Sequence, residues 1–219
     1  MPLSVEKRRV KIAEKGLNEF LKYADTVAII RNDKLLAKFG HLPASKALEM
    51  DSLAIAAMIK GFTEFLNANS RVNIDMMDVR RALSKGGVSA ICIGEGSGRN
   101  RVEEALYRAF SNPLIDFEIN GAKAALVSIK AGLDVSLNEI FSLISTISEH
   151  LEDNGEVKWG FDSDESLESK IRVVMLIIGV KSPDLKGIPF ERDKYAISSF
   201  DSDRDKIIHD ALESLGMLK

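Results

Sequence analysis

Between residues 88 and 180 apolar runs alternate with helical periodicities in one order, and that order restricts the fold more than any other feature of the chain. Val88 to Ile93 is a short continuous apolar run, and Arg101 to Phe110 repeats its apolar residues at helical spacing. Ala124 to Ile129 is a second run, Ser136 to His150 a second helical pattern, and Glu156 to Phe161 and Ile171 to Val180 are two more runs. Short apolar runs bounded by turn residues read as strands buried in a sheet. Strand, helix, strand, helix, strand, strand predicts an α/β layer: a four-stranded mixed sheet with helices on one face, its last two strands antiparallel. This compact unit spans residues 70–181.

Upstream, Glu6 to Tyr23 places Val10, Ala13, Leu17, Phe20 and Leu21 on one helical stripe, and Thr26 to Ile30 is an apolar run. A helix followed by a buried strand is half of an α/β unit, so residues 1–43 read as the remnant of another domain, with a strand that has no sheet to join. From Ala44 to Asn67 a long helix carries Leu48, Ile55, Ile59, Phe62 and Leu66 on one stripe, with Met50, Leu53, Ala56, Met58 and Phe65 on its other faces. A helix apolar all round is expected to run buried through the molecule, and residues 44–69 form that connector. Residues 182–219 open as a linker at Lys181-Ser-Pro-Asp and end in an amphipathic helix bearing Ile207, Ile208, Ala211, Leu212 and Leu215. That helix either packs back on its own domain or binds a partner.

The net charge of −3, with both signs interspersed, gives no reason to expect nucleic acid or an anionic membrane as partner. The single cysteine, Cys92, lies in an apolar run and reads as a buried thiol of a reducing cytosol. His41, His150 and His209 are scattered, so no metal ligand set is expected. No apolar run reaches the ~18 residues needed to span a bilayer, and the expected location is cytoplasmic.

The chemistry concentrates in Asn73-Ile74-Asp75-Met76-Met77-Asp78. Residues three apart share a helix face, so Asp75 and Asp78 can converge on one water or cation, an arrangement suited to general-base work. The competing reading makes Asp75 the cap of a helix from Met76 to Leu83. Gly94-Glu95-Gly96-Ser97-Gly98 invites a phosphate-cradle reading, but the Glu95 carboxylate would repel phosphate. Its glycines are expected to form a tight strand-to-helix turn instead.

Together with that acidic segment, Arg31-Asn32-Asp33-Lys34-Leu35-Leu36, Gly86-Gly87-Val88, Ile93-Gly94-Glu95-Gly96, Arg101-Val-Glu103-Glu104-Ala105, Ser111-Asn-Pro113-Leu114, Gly121-Ala122-Lys123, Trp159-Gly160 and Arg172-Val173 stand in one order. That order resembles the second half of the FtsZ family of tubulin-like cell-division GTPases, and the tail's lack of a match to the bacterial adaptor-binding end points to an archaeal source. The resemblance implies that residues 70–181 are the GTPase-activating domain and residues 1–43 a remnant of the nucleotide-binding domain. It further implies a protomer that stacks head to tail with copies of itself, with Asp75 and Asp78 polarising the water that attacks a neighbour's γ-phosphate and Asn73 positioning the loop. GTP or GDP with Mg2+ would be bound mainly by a domain that this chain lacks, since no Gly-Gly-Gly-Thr-Gly loop occurs in it. The chain is therefore expected to be a fragment, a split-gene product or a truncated form, inactive alone.

Of the nucleotide contacts implied, Glu6 matches a ribose-contacting acid, Arg9 a phosphate-side arginine if one residue is deleted between them, and Asn32 the guanine-reading asparagine. Leu48 replaces the aromatic that stacks on guanine and Ser52 the acid or amide that pairs with its edge; Asp51 lies about 100° around the helix from Ser52. These departures support an alternative, a non-catalytic FtsZ-like module that binds or caps filaments. The tail would be the site for a membrane adaptor or another division protein, and the complete protein would act at the division site.

Overall fold

The computed structural model describes residues 1–65, 71–111 and 118–181, apart from the side chains at positions 35, 48, 50, 51, 54 and 64. The expected helix stop at Asn112-Pro113, the end of the long helix beyond residue 65, and the whole tail 182–219 lie outside these residues. Helix α1 (Lys7–Phe20) leads to strand β1 (Thr26–Ala28), then to α2 (Asn32–Phe39) and the long α3 (Ala44–Glu64). After α4 (Met76–Ser84) come β2 (Gly87–Ser97), α5 (Arg101–Phe110), β3 (Ala122–Ala131), α6 (Leu137–Ser148), β4 (Leu151–Ser163) and β5 (Lys170–Val180).

The sheet has five strands in the order β1-β2-β5-β3-β4. The mixed α/β architecture is the expected one, but the strand count rises from four to five because β1 pairs in parallel with β2, Val27 opposite Val88. The Thr26 hydroxyl ties the pair by donating to the Gly87 carbonyl at 2.8 Å. The strand expected to lack a sheet thus finds one.

A second difference concerns β4 and β5. They are not neighbours: β3 lies between them, parallel to β4 and antiparallel to β5. The helix α6 connecting β3 to β4 is a crossover, which makes those two strands parallel. Strand β5, apolar on both faces, takes the centre, and the polar-rich β4 takes the edge.

Helices cover both faces rather than one. Alternate residues of β3 and β5 (Ala125, Val127, Ile129 and Ile171, Val173, Met175) join Ala105 and Ala109 of α5 and Ile140, Leu143 and Ile147 of α6 in one buried cluster. The intervening residues (Leu126, Val174, Leu176, Ile178) pack instead on Phe65, Val79 and Ala82. This period-two partition is what a strand buried on both faces requires.

Glycines let α5 lie close. A β-carbon at Gly94 would stand 1.9 Å from the Ala105 carbonyl oxygen, and one at Gly96 would stand 1.9 Å from that of Arg101. Both residues sit inside β2, so they serve helix-on-strand contact and not the expected turn. The turn itself falls to Gly98, whose φ of 72° favours glycine.

The helix α3 is not buried all round. Gly61, Met58 and the following Phe65 face the sheet, whereas Leu53, Ile55 and Ile59 are exposed. Likewise α1 half-buries its stripe at Val10, Ala13 and Leu17 and leaves Phe20 exposed. The short α2 was not foreseen from sequence.

Two buried groups complete the core. Cys92 is fully buried, and that burial pushes its thiol up to about 12, so it is inert as a nucleophile. Arg101, only 6% exposed, opens α5 and reaches across to α6. Its guanidinium donates to Glu139 through Nε (2.6 Å) and a terminal nitrogen (3.0 Å), and to the Asp134 carboxylate (2.6 Å) and carbonyl (3.1 Å). Glu139 also closes a capping box with Ser136 at the start of α6.

Candidate functional site

The acidic segment lies where the C-terminal end of α3 meets the edge of the sheet. Ile74 packs against the buried cluster that holds Phe65, Val79 and Ala82, to which Phe62 of α3 also contributes. Val72 forms a two-bond bridge with Phe161 of β4, at 3.0 and 2.9 Å. Arg71 donates to the Ser163 hydroxyl at 2.7 Å. A β-carbon at Gly160 would come within 2.9 Å of the Val72 carbonyl oxygen, so the absence of a side chain there lets the segment lie on β4. Asn73 is exposed between the anchored Val72 and Ile74.

The two carboxylates divide their duties. Asp75 is the N-cap of α4, its Oδ1 accepting from the Met77 amide at 3.1 Å. The competing cap reading is therefore realised, while the side chain stays exposed. Asp78, in the first turn of α4, pairs instead with Lys158 of β4, Nζ to Oδ1 3.3 Å. Both acids sit where the helix dipole favours negative charge.

Lys158 belongs to a row that sequence reasoning missed. Its ammonium is also 3.2 Å from Glu156, which in turn lies 3.6 Å from Lys85 at the end of α4. Lys158 lowers the Glu156 carboxyl below its ordinary range, and Glu156 and then Asp78 raise the Lys158 ammonium. Glu156 and Lys158 are two apart on a strand and so share a face. That spacing was visible in the sequence; the meeting with Asp78 required the fold.

The residues implied in nucleotide contact gather at a different place. Glu6 and Arg9 pair with each other at 2.5 Å at the start of α1. Residues 1–4 are stitched to the start of α2: the Asn32 amide donates to the Met1 carbonyl at 3.0 Å, and the Ser4 amide and hydroxyl donate to Asp33 at 2.9 and 3.1 Å. Those Ser4 bonds hold the Asp33 carboxyl below its usual range. The structure thus brings Glu6, Arg9 and Asn32 to one end of the N-terminal segment. Ser52 is exposed on α3, and the side chain of Leu48 lies outside the described residues. Asn32 follows β1 at one edge of the sheet, whereas the acidic segment lies on β4 at the other.

A mixed sheet clasped by helices, with an acidic helix start at the foot of a long connecting helix, is the architecture of the tubulin-like C-terminal domains. Residues 87–181 match the family model described as FtsZ family, C-terminal domain. Cell division protein FtsZ 1 of Thermococcus kodakarensis is 40% identical over 184 residues, which are 84% of this chain and 49% of that protein. Cell division protein FtsZ of Methanothermobacter thermautotrophicus is 32% identical over 215 residues, 97% of this chain and 56% of its own length. An empty FtsZ dimer from M. jannaschii superposes with a TM-score of 0.73 at 31% identity, covering 87% of this chain and 55% of that one. The chain belongs to the FtsZ family. It spans about half the length of the curated relatives it matches.

Proposed function

We propose that this chain supplies the C-terminal half of a filament-forming, GTP-hydrolysing cell-division protein, and that its acidic segment acts on nucleotide held by the next subunit. The observation that carries this reading is the separation across the sheet. Asp78 pairs with Lys158 of β4 at one edge, whereas Asn32 follows β1 at the other edge, four strand spacings or about 19 Å away. One copy cannot bring both to the same nucleotide, whereas head-to-tail stacking of two copies can. Self-association is supported by the relative from M. jannaschii, solved as a dimer.

In this reading Asp78, and Asp75 from its cap position, orient and polarise a water against the γ-phosphate, and Asn73 fixes the loop. Phosphoryl transfer asks a protein chiefly for positioning and electrostatics, and both are supplied by a segment pinned to β4 at Val72 and packed against the core at Ile74. Any Mg2+ would travel with the triphosphate on the nucleotide-binding half, and no residue of this chain is assigned to it. On the opposite face of β4 from the loop, Leu133, Leu137 and Phe141 are exposed, and Phe141 meets Trp159 edge-on at 6.1 Å.

A second reading, a non-catalytic module that caps filaments, is favoured by Leu48 and Ser52. The change from an aromatic removes stacking worth about 1 kcal/mol, and the change from an acid removes a charged hydrogen bond worth about 1.5–3 kcal/mol. Both readings share one consequence for the 219-residue chain. With no phosphate-cradling loop, Glu6, Arg9 and Asn32 have nothing to anchor a triphosphate, so the chain alone is expected neither to bind GTP nor to hydrolyse it. Calorimetric titration with GTP and Mg2+ checks this; saturable micromolar binding by the chain alone would overturn the division of labour proposed here.

A further inference from the structure

One face of β4 presents Glu156, Lys158 and Gly160 in succession under the acidic segment. Gly160 admits the backbone of Val72, Lys158 meets Asp78, and Glu156 meets Lys158 and Lys85. Asp78, Lys158, Glu156 and Lys85 therefore form a row in which carboxylates and ammoniums alternate and the charges cancel. All four side chains are between about a quarter and a third exposed, so the row is reachable from solvent but shielded by the protein on one side. Arg81 adds a further positive charge facing Glu156.

The arrangement answers an electrostatic difficulty. A carboxylate asked to polarise water beside a triphosphate is repelled by the phosphates, and the repulsion grows as docking excludes water. An ammonium already in contact with that carboxylate offsets the repulsion and holds the group in one orientation. Lys158 is the cation the fold places there. We propose that Lys158 is a positioning residue of the acidic segment: its ammonium fixes the Asp78 carboxylate against β4 and supplies the positive charge that lets it approach a neighbour's phosphates. Glu156 holds the ammonium from the other side, so Lys158 does not simply fold down to neutralise Asp78. The inference rests on the reading that Asp78 acts on a neighbour's nucleotide.

The test uses the whole chain and a full-length FtsZ relative preloaded with GTP, held below its own assembly concentration. Phosphate release is followed in a single turnover as wild type, D78N, K158M or K158R chain is added. Wild type should accelerate release and D78N should not; failure of either outcome overturns the reading itself, and the role of Lys158 falls with it. Given that contrast, K158M should lower the wild-type acceleration about tenfold, in the range found when a partner that orients a reacting group is lost. K158R, which keeps the charge, should restore most of it. Equal acceleration by K158M and wild type, or no rescue by K158R, would reject the positioning role while leaving the reading of Asp78 standing. An independent readout needs no activity: the Lys158 side-chain NMR signal in the isolated chain should titrate at lower pH in D78N than in wild type. An unchanged midpoint would show that the two groups do not meet in solution and would also reject the proposal.

Discussion

Replacing Asp78 with alanine, in a protein that joins this chain to its nucleotide-binding half, is expected to lower GTP turnover by about 10²–10⁴-fold, the loss typical of a positioned general base. Nucleotide binding should be spared, because Asp78 pairs with Lys158 at the β4 edge of the sheet, opposite the β1 edge from which Asn32 follows. Filaments of the variant should form and disassemble slowly. Asp75 needs a different substitution, since it also caps α4 through Met77. Removing a cap with alanine costs about 1 kcal/mol of stability, so D75A mixes two effects. D75N retains a good capping side chain and removes only the charge, and its turnover should fall while its thermal unfolding stays near wild type. Phosphate release per filament end, measured beside retention of labelled nucleotide, checks both residues. Near-wild-type turnover in D78A would remove Asp78 from the mechanism.

The largest stability effect is expected at Arg101. Its guanidinium is buried and satisfied by Glu139 and Asp134 on the far side of the α5–α6 contact. Truncation to alanine removes the buried guanidinium, with its packing and its charged hydrogen bonds to the partly exposed Glu139, a loss of about 1.5–3 kcal/mol. That is a large fraction of the 5–15 kcal/mol typical of a folded domain. Urea denaturation at neutral pH should show the loss as a lower midpoint. The same cluster sets an acid dependence. Arg101, with the Ser136 amide and hydroxyl, holds Glu139 down from an ordinary 4.5 to about 2. A carboxyl depressed in the folded state contributes stability that is fully present above pH 4.5 and is lost as pH falls toward 2. The gap between wild type and R101A should therefore narrow across that window. A gap that stayed constant down to pH 2 would mean that the pair contributes packing alone.

How much of this was legible in the sequence differs from element to element. Helix α5 was readable to the residue, because Val102, Ala105, Leu106 and Ala109 recur at helical spacing and become its buried side. The start of α6 at Ser136 was read as well, whereas the capping box with Glu139 came only with the structure. Which strand stands at the centre was not legible, because an apolar run shows burial but not its neighbours; hence β4 and β5 were placed side by side. The single apolar run of β1 likewise gave no hint that it would extend the sheet past β2. The all-round apolar character of α3 was read as burial on every side, yet among the described residues its cover lies at Met58 and Gly61 while Leu53, Ile55 and Ile59 are exposed. The sequence pattern records the surface a helix must meet, not whether the partner lies within the same chain. At the candidate site, Asp75 and Asp78 were singled out by spacing and resemblance, whereas Lys158 was invisible until β4 was laid beneath α4.

The central claim is that this chain carries the acidic docking face of a head-to-tail filament without the nucleotide face that would receive another subunit. A heterologous interface propagates only when both faces are present, so the chain should terminate growth. The most direct measurement is light scattering of a full-length FtsZ relative assembling with GTP while the chain is titrated in below stoichiometry. The control is D78K, which keeps the exposed apolar faces of α1 and α3, and hence any tendency to aggregate, but reverses charge at the docking face. Lower scattering and shorter filaments with wild type, relieved in D78K, is the predicted result. Unchanged assembly at equimolar chain, or equal inhibition by D78K, would contradict the account.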